Sequence, residues 1–230
     1  MIRQLAFELT PISCLRRADF FSSPANADAL AMVDDWAHWP QGKLLLIGPS
    51  GSGKTHLAKI WADDTAARIV PAADLADADL PVLAQSRAIV VEDAAEIAGQ
   101  SAAETALFHL HNMVHGKGHL LITATAPPRD WGLRLADLLS RMQALAVAQL
   151  NPPDDALLSA VLIKLFSDRQ ITVPPNVIAF LLQRMDRSIA AAQHVVAALD
   201  SRALAAGRPV TRALAADLFD PDPLDSGGSE

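Results

Sequence analysis

The chain has 230 residues, half of them hydrophobic, which suffices for one large domain or for a core domain with a small second one. Its single cysteine, Cys14, excludes an internal disulfide, and no apolar run approaches the roughly 20 residues that cross a bilayer. A net charge of −7 is unfavourable for direct binding to nucleic acid. We therefore expect a cytoplasmic protein without a membrane segment, whose contact with DNA is made only through a partner.

The first patterned stretch is QLAFEL, Gln4 to Leu9. Leu5, Phe7 and Leu9 occupy alternate positions, which is the ordinary pattern of a strand with one apolar face. On this pattern alone an edge strand is favoured. The alternative is an extended tail that another protein binds, for which the position ahead of the predicted domain is suitable.

From residue 26 to residue 150 apolar strands alternate with helices. The predicted helices are 26–39, about 54–64, 101–115 and 133–142. The predicted strands are 43–48, 67–70, 87–93, 119–125 and 144–150. This alternation predicts an α/β fold with a parallel sheet that helices cover on both faces.

The pattern changes at Asn151-Pro152-Pro153, after which the sequence predicts helices only, to about Phe219. We expect a core domain at 14–150 and an all-helical domain at 151–220. Residues 1–13 precede the core, and the acidic, proline-rich end at 221–230 has the composition of a disordered tail.

The strongest motif is GPSGSGKT, which fits the phosphate-binding pattern G-x-x-x-x-G-K-[ST] between a predicted strand and a predicted helix. Backbone N–H groups of such a loop and the helix N-terminus bind phosphate. Lys54 is expected at the β- and γ-phosphates, and the Thr55 hydroxyl at Mg²⁺. The other predicted nucleotide-binding residues of the motif are Gly48, Pro49, Ser50, Gly51, Ser52 and Gly53.

The strand AIVVED ends in Glu92 and Asp93, where a nucleotide hydrolase holds Mg²⁺ and orients the attacking water. Both are therefore candidate metal residues. Aspartate is usual at the first of these positions. Because Glu92 is one methylene longer, we expect nucleotide binding with weakened hydrolysis.

Two arginines are candidates for contact with a γ-phosphate. Arg141 precedes the last predicted strand, and Arg187 opens a helix of the C-terminal region. A guanidinium can stabilise the phosphate of its own chain or of a neighbouring molecule. For each, the alternative is an ordinary solvated helix arginine.

Four histidines raise the alternative of a metal site, because His111 and His115 are spaced i, i+4 on a predicted helix and His109 and His119 lie nearby. No acid or cysteine completes a ligand set. A structural role is therefore favoured for them.

These motifs resemble the DnaA family of AAA+ ATPases over about residues 14–219, most clearly in GPSGSGKTHL and FHLHNM…GHLLITATAPP. The resemblance implies an AAA+ P-loop core, a parallel sheet sandwiched by helices, with a C-terminal helical lid. It also implies that ADP or ATP is bound with Mg²⁺.

The resemblance assigns roles to single residues. Arg141 takes the position of an arginine finger that acts in trans, and Arg187 that of the sensor-2 arginine. Thr125 stands at the sensor-1 position, where the initiator has an acidic residue, which again suggests altered hydrolysis. The segment DFFSSPANADA implies that Phe21 and Ser22 lie near the adenine, and His56 extends the nucleotide-binding loop.

Within the family the sequence is most similar to the short, Hda-type members. It shows no basic helix-turn-helix after the lid, and only a short segment separates the strands at 67–70 and 87–93. QLAFEL matches the form Q-L-x-Φ-x-Φ that the bacterial sliding clamp binds. The resemblance thus makes Gln4, Leu5, Phe7 and Leu9 the clamp-binding residues, in place of the edge strand.

The function that the resemblance implies is negative regulation of replication initiation. The protein would be held on DNA by the sliding clamp, the β subunit of DNA polymerase III. It would stimulate hydrolysis of DnaA-bound ATP through Arg141, with little or no ATPase activity of its own. An active ATPase that loads or remodels replication proteins and a nucleotide-stabilised clamp adaptor without a catalytic role are the alternatives. A homodimer is left open.

Overall fold

A parallel sheet forms the centre of the fold in the computed structural model, which describes residues 17–114, 116 and 118–219. Its strands within these residues are β1 Lys43–Ile47, β2 Arg68–Pro71, β3 Ala88–Glu92, β4 His119–Ala124 and β5 Ala146–Gln149. They lie in the order β2-β3-β4-β1-β5, and every neighbouring pair is parallel. The alternation of strands and helices in the sequence predicted this arrangement, which is confirmed.

Helices cover both faces of the sheet and then form a second unit. The helices of the first part are α1 Ala27–Asp34, α2 Lys54–Thr65, α3 Leu80–Leu83, α4 Ser101–Val114 and α5 Ala136–Gln143. Those of the second part, here called the lid, are α6 Asp155–Asp168, α7 Pro175–Arg184, α8 Ile189–Ala206 and α9 Arg212–Phe219. Side chains cap three of the lid helices. Asp154 accepts from the Leu157 N–H at 2.7 Å, Ser188 from the Ala191 N–H at 3.0 Å, and Thr211 from the Leu214 N–H at 3.3 Å.

Strand β1 shows why the sheet is buried on both sides, since all its residues are buried. Leu45 and Ile47 face one apolar cluster with α4 and α5. Leu44 and Leu46 face the other cluster with α1 and α2. Successive side chains of β1 thus point to opposite faces of the sheet, and both faces are apolar because helices cover both of them. The lid has a separate apolar core, so its helices fold around their own interior.

Some element boundaries differ from the sequence prediction. The helix predicted at 26–39 ends at Asp34 and is followed by 3-10 turns at Trp36–His38 and Pro40–Gly42. The Trp39 indole explains this early end, because it donates to the Met32 carbonyl at 2.7 Å and stacks on Trp61 at a ring distance of 5.0 Å. The short helix α3 was not predicted.

The predicted clamp motif at 4–9, Cys14, His115 and the tail at 221–230 lie outside the described residues. Within the described part, no helix is both long and apolar enough to cross a bilayer.

An unexpected feature of the core is a buried lysine at the start of β1. Lys43 is 0% exposed, and its ammonium donates to the His111 carbonyl at 2.8 Å. Burial, together with the positive charge of Arg141, lowers the pKa of Lys43 to about 8. A charge held in the interior in this way opposes folding.

We predict that Lys43→Met raises the melting temperature at pH 7 by about 2–4 °C, which corresponds to about 1 kcal/mol for a chain of this size. The folded-state pKa is about 8 and the unfolded value 10.5, so wild-type stability rises with pH between these values. The advantage of the variant should therefore shrink from pH 8 to pH 10.5, as thermal melts in a pH series would show.

Lys59→Met, at an exposed position of α2, is the control without such a pH-dependent gain. A gain that does not change with pH would contradict the assignment.

Candidate nucleotide-binding site

The glycine-rich loop lies between the end of β1 and the start of α2, as predicted. Gly48 continues β1, its N–H donating to the Ala124 carbonyl at 3.2 Å. A Cβ at Gly48 would lie 2.7 Å from the Leu150 carbonyl oxygen, so only glycine fits there. Gly53, with a φ of +100°, turns the chain into α2. The loop thus ends at a helix N-terminus, which attracts anions such as phosphate.

Lys54 is the cation of this loop and is largely buried within it. Its ammonium donates to the carbonyls of Gly48 at 2.9 Å and Pro49 at 3.1 Å. Burial lowers the pKa of Lys54, although the negative charges of Asp93 and Glu92 oppose the shift. The amine is therefore held at the centre of the loop, where a phosphate oxygen could replace the loop carbonyls as its acceptor.

Glu92 and Thr55 form the acidic side of the site. The half-buried Glu92 side chain is hydrogen-bonded by Thr55, and burial, with the neighbouring charge of Asp93, keeps the pKa of Glu92 above its ordinary value. The Oε1 atom of Glu92 is buried and has no hydrogen-bond partner within the described part of the chain. A hydroxyl and an unsatisfied carboxylate oxygen side by side are suitable ligands for Mg²⁺, which commonly takes its remaining oxygens from phosphates and water.

The end of β4 meets this acidic pair through a residue that the sequence analysis did not single out. Thr123 is buried, and its hydroxyl accepts from the Asp93 N–H at 3.0 Å. Asp93 itself is exposed and has a φ of +54°. Thr125, the predicted sensor-1 residue, is exposed just beyond the end of β4. Thr123 thus fixes the backbone beside Glu92. In the sequence, a threonine inside an otherwise apolar strand was the feature that could have marked this residue as part of the site.

The segment before α1 lies close to the start of α2. The Phe20 ring packs edge-on against His56 at a centroid distance of 5.3 Å, and Phe20 lies 3.9 Å from the point that a Cβ on Gly53 would occupy. Phe21 is half-buried and Ser22 is exposed. Phe20, which was not predicted, is therefore the aromatic residue in contact with the loop. A base-contacting role of Phe21 and Ser22 stays a prediction.

The lid touches the loop directly. The N–H of Ile189, the first residue of α8, donates to the Gly51 carbonyl at 2.9 Å. A Cβ at Gly51, whose φ is +72°, would lie 2.7 Å from the Ser188 Cβ. Arg187 is the next residue back along the chain, and its guanidinium pairs with Asp155 at 2.8 Å. The structure thus brings the Arg187 segment to the phosphate loop, with the arginine side chain directed to an exposed ion pair.

Arg141 lies elsewhere, in the last turn of α5, and is exposed. Its charge lowers the pKa of Lys43 at the start of β1, whereas the phosphate loop follows the other end of that strand. Five residues of strand separate these ends, a length of about 16 Å at 3.3 Å per residue. The structure therefore places Arg141 on the side of the sheet away from the loop of its own chain.

Two of the four candidate histidines, His119 and His111, have close partners in the described part of the chain. The His119 ring lies edge-on to Trp36 at a centroid distance of 4.9 Å, and burial lowers the pKa of His119. His111 is buried beside Lys43. Among the described residues no three His, Cys, Asp or Glu side chains form a group that could hold a metal ion.

Comparison with known proteins agrees with this geometry. Residues 155–215 match the family model of the Hda lid domain. The structure of domain III of the Thermotoga maritima replication initiation protein DnaA is 20% identical, with a TM-score of 0.77, and the match covers 90% of this chain and 98% of that one. AMPPCP-bound DnaA from Aquifex aeolicus is 15% identical, with a TM-score of 0.67, and the match covers 78% of this chain and 63% of that one.

A glycine-rich phosphate loop on a five-stranded parallel sheet, followed by a helical lid, is the AAA+ fold. Within that fold, residues 155–215 are similar to the Hda lid domain. The described chain as a whole is similar in fold to domain III of DnaA.

We predict that Gly51→Ala weakens nucleotide binding, because the added Cβ pushes Ser188 and the lid off the loop. The effect on the Kd for a fluorescent ADP analogue should be about tenfold, or about 1.4 kcal/mol. Removing the opposing Cβ with Ser188→Gly should restore part of the loss.

Gly207→Ala is the matched control. Gly207 has a φ of +59°, and no atom lies within 4 Å of the position that a Cβ would take there. The change to alanine at Gly207 therefore adds similar backbone strain without displacing the lid from the loop. Wild-type affinity in Gly51→Ala, or an equal loss in both variants, would contradict the role of the Gly51–lid contact.

Proposed function

We propose that this chain is a negative regulator of replication initiation that binds ADP or ATP with Mg²⁺ and stimulates hydrolysis of DnaA-bound ATP through Arg141. Binding of a nucleotide is supported by the phosphate loop, by the Lys54 amine inside it and by the Thr55–Glu92 pair. Two DnaA structures with the same fold are bound to AMPPCP, which supports an adenine nucleotide as the ligand.

The position of Arg141 is the observation that carries the proposal. Arg141 is exposed in the last turn of α5, just before β5, whose first residue Ala146 pairs with Leu44 near the start of β1. The phosphate loop of the same chain follows the other end of β1. A guanidinium there is suited to a nucleotide on a second molecule. When water attacks the γ-phosphorus and the bond to the bridging oxygen breaks, negative charge spreads over the phosphoryl oxygens, and an arginine stabilises it.

Turnover of the chain's own nucleotide is expected to be weak. Glu92 is one methylene longer than the aspartate that is usual at this position, and Asp93 is turned out to solvent at a positive φ. The bound nucleotide would instead hold the lid on the core, where Ile189 bonds to the loop. In this role ADP or ATP sets the conformation and is not consumed.

Attachment to DNA would be indirect. The net charge of −7 is unfavourable for phosphate binding by the chain itself. The stretch from Gln4 to Leu9 has the form of a sliding-clamp peptide, and an extended peptide of this kind binds through side-chain pockets and backbone hydrogen bonds. A clamp loaded on DNA in the cytoplasm would thus bring Arg141 to DnaA.

We predict that Arg141→Ala removes the stimulation of ATP hydrolysis by DnaA, measured with clamp-loaded DNA and ATP-bound DnaA. An arginine supplied in trans accelerates such reactions about 10³–10⁵-fold, so the loss should be nearly complete. Arg129→Ala is the control, because Arg129 is exposed in the loop before α5 and carries the same charge. Stimulation by Arg141→Ala equal to that of wild type would refute the assignment.

The clamp contact is tested separately. Replacing Gln4, Leu5 and Phe7 together with alanine should abolish clamp binding in a surface-binding assay and leave the Kd for ADP unchanged. Thr10→Ala, just past the motif, should bind the clamp normally. If the triple variant unfolds the core instead, the stretch is an edge strand and the clamp proposal fails.

A further inference from the structure

A carboxylate inside the core makes bonds that the nucleotide site does not account for. Glu104, in the first turn of α4, is 1% exposed. Its Oε1 accepts from the N–H groups of Gly99 at 2.7 Å and Arg134 at 3.2 Å. Its Oε2 accepts from the N–H groups of Arg134 at 3.0 Å and Leu135 at 2.7 Å.

The balance of forces favours the charged form of Glu104. Burial raises the pKa of this carboxyl. The N–H donors of Leu135, Arg134 and Gly99, together with the charge of Arg134, lower the pKa by more than burial raises it, so the pKa of Glu104 lies below the ordinary value. A buried carboxylate is tolerated only when it is bonded in this way. These bonds are charge-assisted, and they are therefore among the stronger ones in the interior.

The groups that Glu104 joins belong to three different parts of the chain. Gly99 ends the segment that follows Glu92 and Asp93 of the nucleotide site. Glu104 itself belongs to α4. Leu135 is the residue before α5, and its carbonyl accepts from the Leu139 N–H at 3.1 Å in the first turn. One side chain thus fixes the start of α5 relative to α4 and to the loop after β3.

Apolar packing also acts on helix α5 at this end, where Leu133 and Leu135 lie against the core cluster. Leu138 and Met142 pack its inner face into the cluster that contains Leu107 of α4, which leaves Arg141 on the outer face. Packing of this kind sets which face is buried, but it allows a short helix to slide or tilt. The bonds to Glu104 restrict that movement at the first residues of the helix.

We propose that Glu104 is a positioning residue for Arg141. It holds α5 in the orientation in which the guanidinium reaches the γ-phosphate of the partner's nucleotide. The inference rests on the proposed role of Arg141. Leu135 and Arg141 are six residues apart, about 9 Å along a helix, so a small tilt at one end shifts the other. A misplacement of 1 Å at a reacting group can cost about 10²-fold in rate.

The test uses Glu104→Gln in the full chain, with clamp-loaded DNA and ATP-bound DnaA. A glutamine offers one acceptor oxygen, and its NH₂ group faces the backbone donors, so some of the N–H bonds are lost. We expect the maximal rate of stimulated hydrolysis to fall by about 10²-fold. The Kd of the protein for ADP should stay at its wild-type value, since Glu104 bonds to Gly99, Arg134 and Leu135 and not to the phosphate loop.

Glu96→Gln is the matched control, because Glu96 is exposed in the loop before Gly99 and loses the same charge. In an Arg141→Ala background, Glu104→Gln should cause no further loss of stimulation, because the residues act as one unit. If Glu104→Gln does not fold, Glu104→Asp keeps the charge with a shorter reach and should lower the maximal rate in the same way.

Three outcomes would overturn the inference: a wild-type maximal rate in the folded Glu104 variants, a loss of ADP affinity that equals the loss of rate, or independent effects of Glu104→Gln and Arg141→Ala. These differ from failure of the proposed function, which would appear as full stimulation by Arg141→Ala. In that case Glu104→Gln would change only the stability of the protein.

Discussion

Parallel pairing of the strands is the constraint on which the site depends. Ile47 of β1 pairs with Ala124 of β4, and Val91 of β3 pairs with Ile122, so these strands end at one edge of the sheet. The loop that follows β1 and the acidic pair at the end of β3 are therefore brought together by the register of the strands. The same register places the strand starts, and Lys43 with them, at the opposite edge.

The two edges are suited to different tasks. At one edge the phosphate loop is closed by the lid, whose Ile189 N–H bonds to the Gly51 carbonyl. At the other, Arg141 is exposed on α5 near the buried Lys43. Glu104 connects the loop after the acidic pair to the start of α5. A nucleotide bound at the first edge would thus act on a fold in which the outward-facing arginine is already held in place.

The features that the sequence predicted are those with a local pattern. The phosphate loop has a fixed spacing of glycines and lysine, and the buried strands are continuous apolar runs, so both were found. The contacts of Glu104 could not be predicted, because Leu135 lies 31 residues along the chain and nothing in the helix pattern marks a buried acid. The same holds for Thr123 and Phe20, whose roles depend on neighbours from other elements. Register and packing in three dimensions decide such contacts.

The central claim is that Arg141 serves a nucleotide on another molecule. The most direct measurement is a structure of this protein on a DNA-loaded clamp with DnaA bound to a non-hydrolysable ATP analogue. The account predicts that the Arg141 guanidinium lies at hydrogen-bond distance, about 2.7–2.9 Å, from the terminal phosphate of the DnaA nucleotide. An Arg141 side chain in solvent, or one directed at the nucleotide of its own chain, would contradict it.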